Sequence, residues 1–410
     1  MSAEGHDGLP LTGIKVLDLS RILAGPWCAM VLADLGADVI KVEHPTRGDD
    51  TRDWGVPTAG TNTSYFDSVN RNKRSIGVDL ATPEGLSIVK ALARESDVVV
   101  QNFKTGGAEK LGLGYAQLRA ENPGLIYCSI AGYDSDGPEA SRPGYDLVVQ
   151  GETGLMALNG EPGRPPLKFG VAAVDLFTGQ FAAQAVLAAL FARTRTGQGR
   201  EVELALYDCG IALTSYYGLE ALARQADLPP VGNAHPSIVP YGVFPTADGP
   251  IVMTVGNNAQ YRRFCERVIE RMDLFEDPRF ATNLDRARNR AILVPLVDAE
   301  LSRWPREALL ARLNATGIPC GEVLGLHAAL TSERARAAGL VVEAQDVPQA
   351  AEDGETGPRV LAPPYRLDGT RLPVRRMPPG LGTSSAAILA DRLGYGPEER
   401  AALAAKGIIR

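Results

Sequence analysis

The first half of the chain alternates between short apolar segments and longer amphipathic ones. The apolar segments are rich in β-branched residues, have the length of buried strands, and lie at residues 14–19, 37–43, 75–80, 97–103 and 125–133. After residue 80 the sequence gives a helix start, with Thr82 as cap and Pro83 and Glu84 in the first turn. Strands that alternate with amphipathic helices predict a doubly wound, Rossmann-like α/β domain with a mainly parallel sheet.

The remainder of the chain predicts a second, smaller domain and a C-terminal return to the first. Helical spacing dominates residues 145–195, and a strand at 200–208 and a further helix follow. Composition then changes to a Pro- and Gly-rich linker, a hairpin around residues 247–249, and charged amphipathic helices. We predict a large α/β domain at 1–227, a small α+β domain at 228–330, and a C-terminal return at 331–410 that is irregular between 348 and 376.

Composition and charge exclude several classes of protein. The 410 residues include 42 Lys and Arg against 49 Asp and Glu, which gives a net charge of −7. With 45% hydrophobic and 22% charged residues, the chain has the composition of an ordinary soluble globular protein. A net negative surface of mixed sign has no electrostatic footprint for nucleic acid. We therefore expect no nucleic-acid partner.

The cysteines and the N-terminal segment indicate a reducing compartment. The five cysteines are well separated and form no CxxC pair, at Cys28, Cys128, Cys209, Cys265 and Cys320. We expect reduced, mostly buried thiols and no metal site. The N-terminal segment lacks the pattern of a signal peptide, and no run of about 18 apolar residues occurs. We predict a cytoplasmic protein without a membrane partner.

Motifs of the common cofactor sites are missing. The dinucleotide fingerprint requires three spaced glycines directly after a strand. The first strand is followed by SRILAGPW, which contains one glycine. Gly112 and Gly114 follow a predicted helix instead of a strand, and the third glycine of the fingerprint is missing. No phosphate-binding GxxxxGK[ST] motif and no GxSxG motif occur. The histidines are scattered, at His6, His44, His235 and His327. The chemistry therefore falls to carboxylates, lysines or the backbone.

One carboxylate lies in an unusual setting. Asp175 in KFGVAAVDLFTGQFAAQ is surrounded by small and apolar residues near a helix start, with no basic residue between Lys168 and Arg193. Small neighbours let a ligand approach closely, and a helix N-terminus favours the ionised carboxylate by about 0.3–1 kcal/mol. The local pattern alone favours a helix cap or a first-turn acid over a catalytic group.

Two other clusters carry charge. The segment RPGYDLVVQGETG places four polar side chains at a predicted loop-to-helix boundary, namely Arg142, Tyr145, Asp146 and Gln150. Asp146 alone reads as a helix cap. Lys73 and Arg74 precede a predicted strand, where they either contact phosphates or form a solvated charge pair. None of these clusters decides a function by itself.

Read together, the segments resemble successive signatures of the class III CoA-transferases, the group typified by formyl-CoA transferase. They are LTGIKVLDLSRILAGPWCAMVLADLGADVIKVEHPTRGDDTR, SVNRNKRSIGVDLATPEG, DVVVQNFKTGGAEKLGL, GYDLVVQ, AAVDLFTG and RTGQGREVELALYD. The resemblance is dense over about residues 10–210 and weaker toward the C-terminus. It implies an enzyme that uses CoA thioesters as substrates, without a tightly bound cofactor.

The resemblance also implies a role for individual residues. The family nucleophile is an aspartate in a small-residue context, and Asp175 in GVAAVD occupies that position, which reverses the interpretation from local pattern. Asp146 falls with Tyr145 on the thioester-side loop. The resemblance implies CoA contacts at Leu23, Ala24, His44, Val78, Asp79, Leu80, Ala81, Asn102, Phe103, Lys104 and Lys110, with Lys110 near the nucleotide phosphates. Family members are interlocked homodimers, and the long linkers of this chain suit that arrangement.

Three departures argue against formate or oxalate as substrate. His44 stands where formyl-CoA transferase has an arginine, and Leu23 stands where it has a glutamine. The glycine-rich loop over the oxalate site is replaced by HPSIVPYGVFPTADG. The segment VFPTADGPIVMTVGNNAQYRRFC resembles instead the succinyl-CoA-dependent members that act on dicarboxylates. Arg21, Arg142 or His44 is expected to pair with a distal carboxylate, although Arg21 suits a surface or CoA-phosphate role equally.

Two alternatives remain open from the sequence. A 2-methylacyl-CoA racemase has the same fold, but it needs two opposed acid/base groups, and its G-H-D loop is replaced here by Gly144, Tyr145 and Asp146. A non-catalytic acyl-CoA-binding protein is the second alternative. The presence of Asp175 beside the binding motifs argues against it.

Overall fold

The computed structural model describes residues 8–348 and 357–410. The strands are β1 (Lys15–Asp18), β2 (Asp38–Glu43), β3 (Lys73–Gly77), β4 (Val98–Gln101), β5 (Ile126–Ala131), β6 (Glu201–Ala205), β7 (Tyr241–Phe244), β8 (Ile251–Thr254), β9 (Cys320–Glu322), β10 (Val341–Glu343), β11 (Arg359–Leu361), β12 (Arg366–Leu367) and β13 (Thr370–Arg371). The first nine helices are α1 (Ala24–Asp34), α2 (Ser64–Asp67), α3 (Pro83–Arg94), α4 (Gly107–Lys110), α5 (Tyr115–Glu121), α6 (Asp146–Glu152), α7 (Leu155–Leu158), α8 (Ala173–Thr196) and α9 (Leu206–Arg224). The others are α10 (Asn258–Arg267), α11 (Met272–Glu276), α12 (Asn283–Arg288), α13 (Arg290–Leu301), α14 (Arg306–Ala315), α15 (Leu326–Leu330), α16 (Glu333–Ala337), α17 (Ser385–Leu393) and α18 (Pro397–Ala405).

The described residues divide into two compact units. The large unit comprises the residues up to Leu155, Lys168–Glu220, and those from Ser332 onward. The small unit comprises Met156–Leu167 and Ala221–Thr331. The domain boundaries expected from the sequence, at residues 227 and 330, stay a prediction.

The large unit is built on a parallel sheet of six strands in the order β3-β2-β1-β4-β5-β6. This is the strand order of doubly wound dinucleotide-type folds. Val16 and Val98 point to one face, where they pack with α1 and α8, while Leu17 and Val99 point to the other, where they pack with α3 and α17. Helices therefore cover both faces, and the predicted mixed α/β architecture with a parallel sheet is confirmed.

Helix α8 packs against α1 through small residues. Gly179 of α8 lies so close to α1 that a Cβ atom there would be 2.5 Å from the carbonyl oxygen of Ala24. This contact holds the second turn of α8 against the first turn of α1. By length and composition α8 is the one helix of residues 8–348 and 357–410 that could cross a membrane. Core helices of soluble proteins pass the same test, and one face of α8 lies in the apolar core with α1.

Buried ion pairs fix the loops at the carboxyl ends of β1 and β2. Lys73 Nζ lies 2.9 Å from Asp18 Oδ2, and Lys41 Nζ lies 2.8 Å from Asp49 Oδ2, with all four side chains essentially inaccessible to water. Burial lowers the pKa of Lys73 to about 8, although the charge of Asp18 acts in the opposite direction. Removing one partner of such a pair leaves an uncompensated buried charge. The pairs therefore set the geometry of these loops.

The small unit has its own sheet and core. Strands β7 and β8 form the predicted antiparallel hairpin, and β9 adds to β8 as a third strand. Buried Arg286 organises the helices below the sheet, because its guanidinium donates to the carbonyl oxygens of Val239 and Phe280 and to Asn283 Oδ1. The guanidinium also lies 4.2 Å from the centre of the Tyr261 ring.

Two sequence expectations need correction. The prediction of nearly continuous helix over 145–195 is wrong for residues 159–172, which separate α7 from α8. This stretch contains Pro162, Pro165 and Pro166, which lack the backbone donor that a helix needs. The prediction of irregular structure over 348–376 fails where short strands β11, β12 and β13 form, while residues 349–356 lie outside the described part of the chain.

Candidate active site

Two adjacent cavities lie at the carboxyl edge of the large sheet, where ligands bind in open α/β folds. The first has a volume of about 400 Å³, and the predicted site residues that line it are Arg21, His44, Val78, Asp79, Leu80, Ala81 and Phe103. The second has a volume of about 180 Å³, and those that line it are Arg21, Leu23, Ala24, Asn102, Phe103, Lys104, Arg142, Tyr145 and Asp175. Arg21 and Phe103 line both cavities. Lys110, at the end of α4, and Asp146 line neither.

Asp175 lies in the first turn of α8, at the wall of the second cavity. It is half-buried, and no hydrogen bond from a basic side chain to its carboxylate is found among the described residues. Burial, together with the nearby charge of Asp146, raises the pKa of Asp175 to about 7. A carboxylate that is poorly solvated and has no counter-ion is a stronger nucleophile than one in water.

Asp146 holds the start of α8. Its Oδ1 accepts hydrogen bonds from the backbone N–H of Val174 at 2.9 Å and of Asp175 at 3.3 Å. The amide of Gln150 donates to Asp146 Oδ2 at 2.6 Å. The residue before α8, Ala172, has no side chain that could cap the helix. Asp146, the first residue of α6, therefore caps the N-terminus of α8. The structure thus places Asp146 behind Asp175 rather than in a cavity.

The loop between β1 and α1 is held in an unusual conformation beside Asp175. Ile22 has a φ of 72°, in the left-handed region that β-branched residues rarely adopt. Its N–H points to the carboxylate of Asp49, with both oxygens at 3.3 Å. α1 begins directly after this loop without a side-chain cap. The N–H groups of its first turn have no intrahelical acceptor, and Leu23 and Ala24 border the second cavity.

The loop after β4 joins the walls of the second cavity. Asn102 exchanges two hydrogen bonds with the backbone of Arg21, accepting from its N–H at 2.9 Å and donating to its carbonyl at 2.8 Å. The Thr105 hydroxyl donates to the carbonyl of Ala140 at 2.6 Å. The Asn102 side chain, expected to contact CoA, is thus engaged in positioning Arg21.

In the first cavity, His44 shapes a tight turn. Its Nδ1 faces the N–H groups of Thr46 and Arg47 at 3.3 and 3.5 Å, which places the ring hydrogen on Nε2. Asp79 Oδ1 accepts from the N–H of Ala81 at 2.9 Å and so fixes the turn after β3. Arg47, which the sequence reasoning missed, is exposed at the rim of this cavity.

The two arginines expected to bind substrate differ in their surroundings. Arg142 donates to Glu139 Oε1 at 2.7 Å and to Glu152 Oε1, and its guanidinium stacks 4.8 Å from the ring centre of Tyr133. The hydrogen bonds that Arg142 donates to Glu152 and Glu139 raise the pKa of Arg142 above its usual value. Arg21 forms only an exposed ion pair with Asp50, at 3.2 Å.

Tyr65 is another residue that the sequence reasoning missed. Burial raises the pKa of its phenol, and the negative charges of Asp175 and Asp146 add to this effect. The ring packs edge-on against Trp54, with the ring centres 5.5 Å apart. The segment TSYFDS does not indicate this role, because residues distant in sequence, Asp146 and Asp175 among them, create the environment of Tyr65.

Comparison with known proteins agrees with this geometry. Residues 11–385 match the family described as CoA-transferase family III. Succinate--glutarate CoA-transferase of Agrobacterium fabrum is 42% identical over 390 residues, which are 93% of this chain and 95% of that protein. Succinyl-CoA:glutarate CoA-transferase of Mus musculus is 38% identical over 400 residues, which are 98% of this chain and 90% of that protein.

A solved structure supports the same assignment. The crystal structure of a CAIB/BAIF family protein from Brucella suis superposes with a TM-score of 0.82 at 41% sequence identity, covering 93% of this chain and 99% of that one. Matches of this length and identity extend across both units described above. They show that the chain belongs to CoA-transferase family III and is a CoA-transferase.

Proposed function

We propose that this enzyme transfers CoA from succinyl-CoA to a free dicarboxylic acid, with Asp175 as the acyl carrier. The observation that carries the proposal is a half-buried aspartate without a counter-ion in a small cavity that adjoins a larger one. The relatives from Agrobacterium fabrum and Mus musculus act, by their names, between succinate and glutarate. A five-carbon diacid is therefore the first acceptor to test.

The reaction exchanges one thioester and one carboxylate for another pair, so it needs little driving force. Asp175 attacks the thioester carbonyl, which gives a mixed anhydride and CoA thiolate. The thiolate attacks the aspartyl carbonyl, releases the donor acid and leaves an aspartyl-CoA thioester. The acceptor carboxylate attacks this thioester to form a second anhydride and the thiolate. The thiolate then attacks the acyl carbonyl, which yields the new acyl-CoA and regenerates Asp175.

Each of these steps develops negative charge on a carbonyl oxygen. The uncapped first turn of α1 offers the N–H groups of Ala24 and Gly25 to such an oxygen. Gly25 leaves no room for a side chain, because a Cβ atom would lie 2.3 Å from Cβ of Ser20. Donors of this type are worth about 3–4 kcal/mol each in comparable sites.

CoA is proposed to occupy the first cavity and to reach the second past Arg21 and Phe103. The residues assigned to CoA there are His44 and the turn formed by Val78, Asp79, Leu80 and Ala81. Leu23, Ala24 and Tyr145 are assigned to the thioester end in the second cavity. Lys110 is assigned to the nucleotide phosphates, outside both cavities.

A panel of acceptor acids tests the proposal. Purified enzyme is incubated with succinyl-CoA and either a dicarboxylic or a monocarboxylic acid of the same carbon number, and the new thioester is identified by mass. We expect glutarate-sized diacids to exceed the matched monocarboxylates by about tenfold or more in kcat/KM. Equal rates with both classes, or transfer only to monocarboxylates, would contradict a dicarboxylate substrate.

We also propose that the enzyme is an interlocked homodimer in the cytoplasm. Helices α8 and α9 expose large apolar side chains in the large unit: Phe191 is 65% exposed, Tyr216 55% and Leu219 71%. Exposed apolar area of this kind is typical of a surface that a partner covers. Sedimentation should give twice the chain mass of 43.6 kDa, and Leu219→Glu should shift it toward the monomer. A wild-type monomer at micromolar concentration would contradict the dimer.

A further inference from the structure

The cationic side chains around the second cavity are not equivalent. Within residues 8–348 and 357–410 they are Arg21, Lys104 and Arg142. Two carboxylates, Glu139 and Glu152, hold Arg142. Asp50 pairs with Arg21. No ion pair or hydrogen bond from the ammonium group of Lys104 is found in the described part of the chain, so this is the cavity's cation without a protein carboxylate.

The backbone around Lys104 is fixed on both sides. The N–H of Phe103 donates to Gln101 Oε1 at 2.7 Å, and the hydroxyl of Thr105 donates to the Ala140 carbonyl at 2.6 Å. The carbonyl of Lys104 itself accepts from Gly107 N–H at 2.7 Å. The lysine therefore starts from a defined point, and only its flexible stem adjusts to the ligand.

We propose that Lys104 binds the distal carboxylate of the dicarboxylic substrate while the other carboxyl group reacts at Asp175. This inference rests on the proposed function, because only a diacid has a second carboxylate to bind. Without a cation, a dicarboxylate entering the second cavity beside ionised Asp175 would meet the repulsion of like charges. Lys104 is exposed and lines the same cavity, and its unpaired ammonium group offsets that repulsion.

In this mechanism the same subsite binds a distal carboxylate in both half-reactions. Asp175 receives the acyl group of the donor in the first half-reaction and that of the acceptor in the second. Because both acyl groups pass through the same small cavity, one ammonium group binds the distal carboxylate of succinyl-CoA and then that of the acceptor. Lys104 is thus a specificity-determining residue for both substrates rather than a catalytic one.

The competing role for Lys104 is a contact with the phosphates of CoA. Lys104 lines the second cavity with Asp175 and does not line the first, where CoA is proposed to lie. Donors with and without a distal carboxylate separate the two roles, because succinyl-CoA and butyryl-CoA share every phosphate.

The test compares Lys104→Met, which keeps an unbranched side chain one atom shorter and removes its charge, with the conservative Lys104→Arg. We expect Lys104→Met to lower kcat/KM about tenfold for succinyl-CoA and to raise KM for glutarate by a similar factor, with butyryl-CoA and a monocarboxylate acceptor unchanged. Lys104→Arg should retain most of the preference for diacids. Lys90→Met on α3, which lines neither cavity, is the matched control, and melting temperatures verify that each variant is folded.

The outcomes separate this inference from the proposed function. Equal losses with succinyl-CoA and butyryl-CoA would overturn the inference and assign Lys104 to CoA. An unchanged preference for diacids in Lys104→Met would also overturn it, while leaving the dicarboxylate function intact. If the wild-type enzyme itself shows no preference for diacids, the proposed function fails and the inference falls with it.

Discussion

Asp175→Asn is expected to lower kcat for CoA exchange by at least about 1,000-fold. Without the covalent nucleophile, only substrate binding and stabilisation of the oxyanion still accelerate the reaction. The amide has nearly the shape of the carboxylate, but it does not form an anhydride by attack on a thioester. Exchange of CoA between two acids, followed by mass analysis of the thioesters, measures the effect. Undiminished exchange would show that Asp175 is not the acyl carrier.

The same variant has a stability signature that separates chemistry from misfolding. Because burial raises the pKa of Asp175 to about 7, the native state binds this proton more tightly than the unfolded chain does. The stability that the raised pKa provides is present in full only below about pH 4, where the unfolded chain is protonated too, and it is lost as the pH rises from about 4 to about 7. Asp175→Asn should therefore melt at a higher temperature than the wild type at pH 8, and this difference should shrink steadily as the pH is lowered through 5. A variant that is inactive and also less stable at pH 8 would leave misfolding as the cause.

Trapping distinguishes the transferase from its alternatives. Wild-type enzyme mixed with succinyl-CoA and hydroxylamine should carry a hydroxamate on Asp175, located by peptide mass analysis, and Asp175→Asn should carry none at that position. A racemase of the same fold would exchange the α-proton of a 2-methylacyl-CoA with deuterated water and form no adduct. An acyl-CoA-binding protein would give neither signal.

The sequence was sufficient for the large α/β unit because its signal is local. Apolar strands and amphipathic helices follow one another along the chain, and right-handed crossovers leave few topologies for such a pattern. The break at residues 159–172 was not predicted because α6 and α7 are short. Their helical spacing was joined to that of α8 although prolines lie between them.

The site was harder to predict because its residues act through contacts distant in sequence. Lys73 looked like a phosphate ligand or a solvated charge, yet its ammonium is buried against Asp18, 55 positions away. Arg142 is expected from the sequence to bind substrate, but it pairs with Glu139 and Glu152, which lie three and ten positions away and whose orientation toward it the sequence does not show. A local pattern indicates which groups carry charge, whereas only the fold shows which of those charges are already neutralised.

The rate of the first half-reaction should follow the ionisation of Asp175. With a pKa of about 7, the ionised fraction falls tenfold per pH unit below neutrality, so kcat/KM for the acyl-CoA donor should be about 100-fold lower at pH 5 than on the plateau near pH 8. Single-turnover release of CoA thiol measures this step without the free acceptor acid. A flat profile between pH 5 and 8 would contradict an ionising nucleophile with this pKa.

The variant Asp146→Asn tests whether ionisation of Asp175 causes the fall of kcat/KM at low pH, which is the acidic limb of the profile. The charge of Asp146 raises the pKa of Asp175, so the neutral amide should move the limb to lower pH, by roughly 0.5–1 unit. Asn keeps an oxygen that can accept from the N–H groups of Val174 and Asp175, so the cap of α8 survives in part. A limb that stays in place in a folded Asp146→Asn enzyme would mean that a group other than Asp175 titrates. A downward shift would tie the limb to the pair of carboxylates at the start of α8.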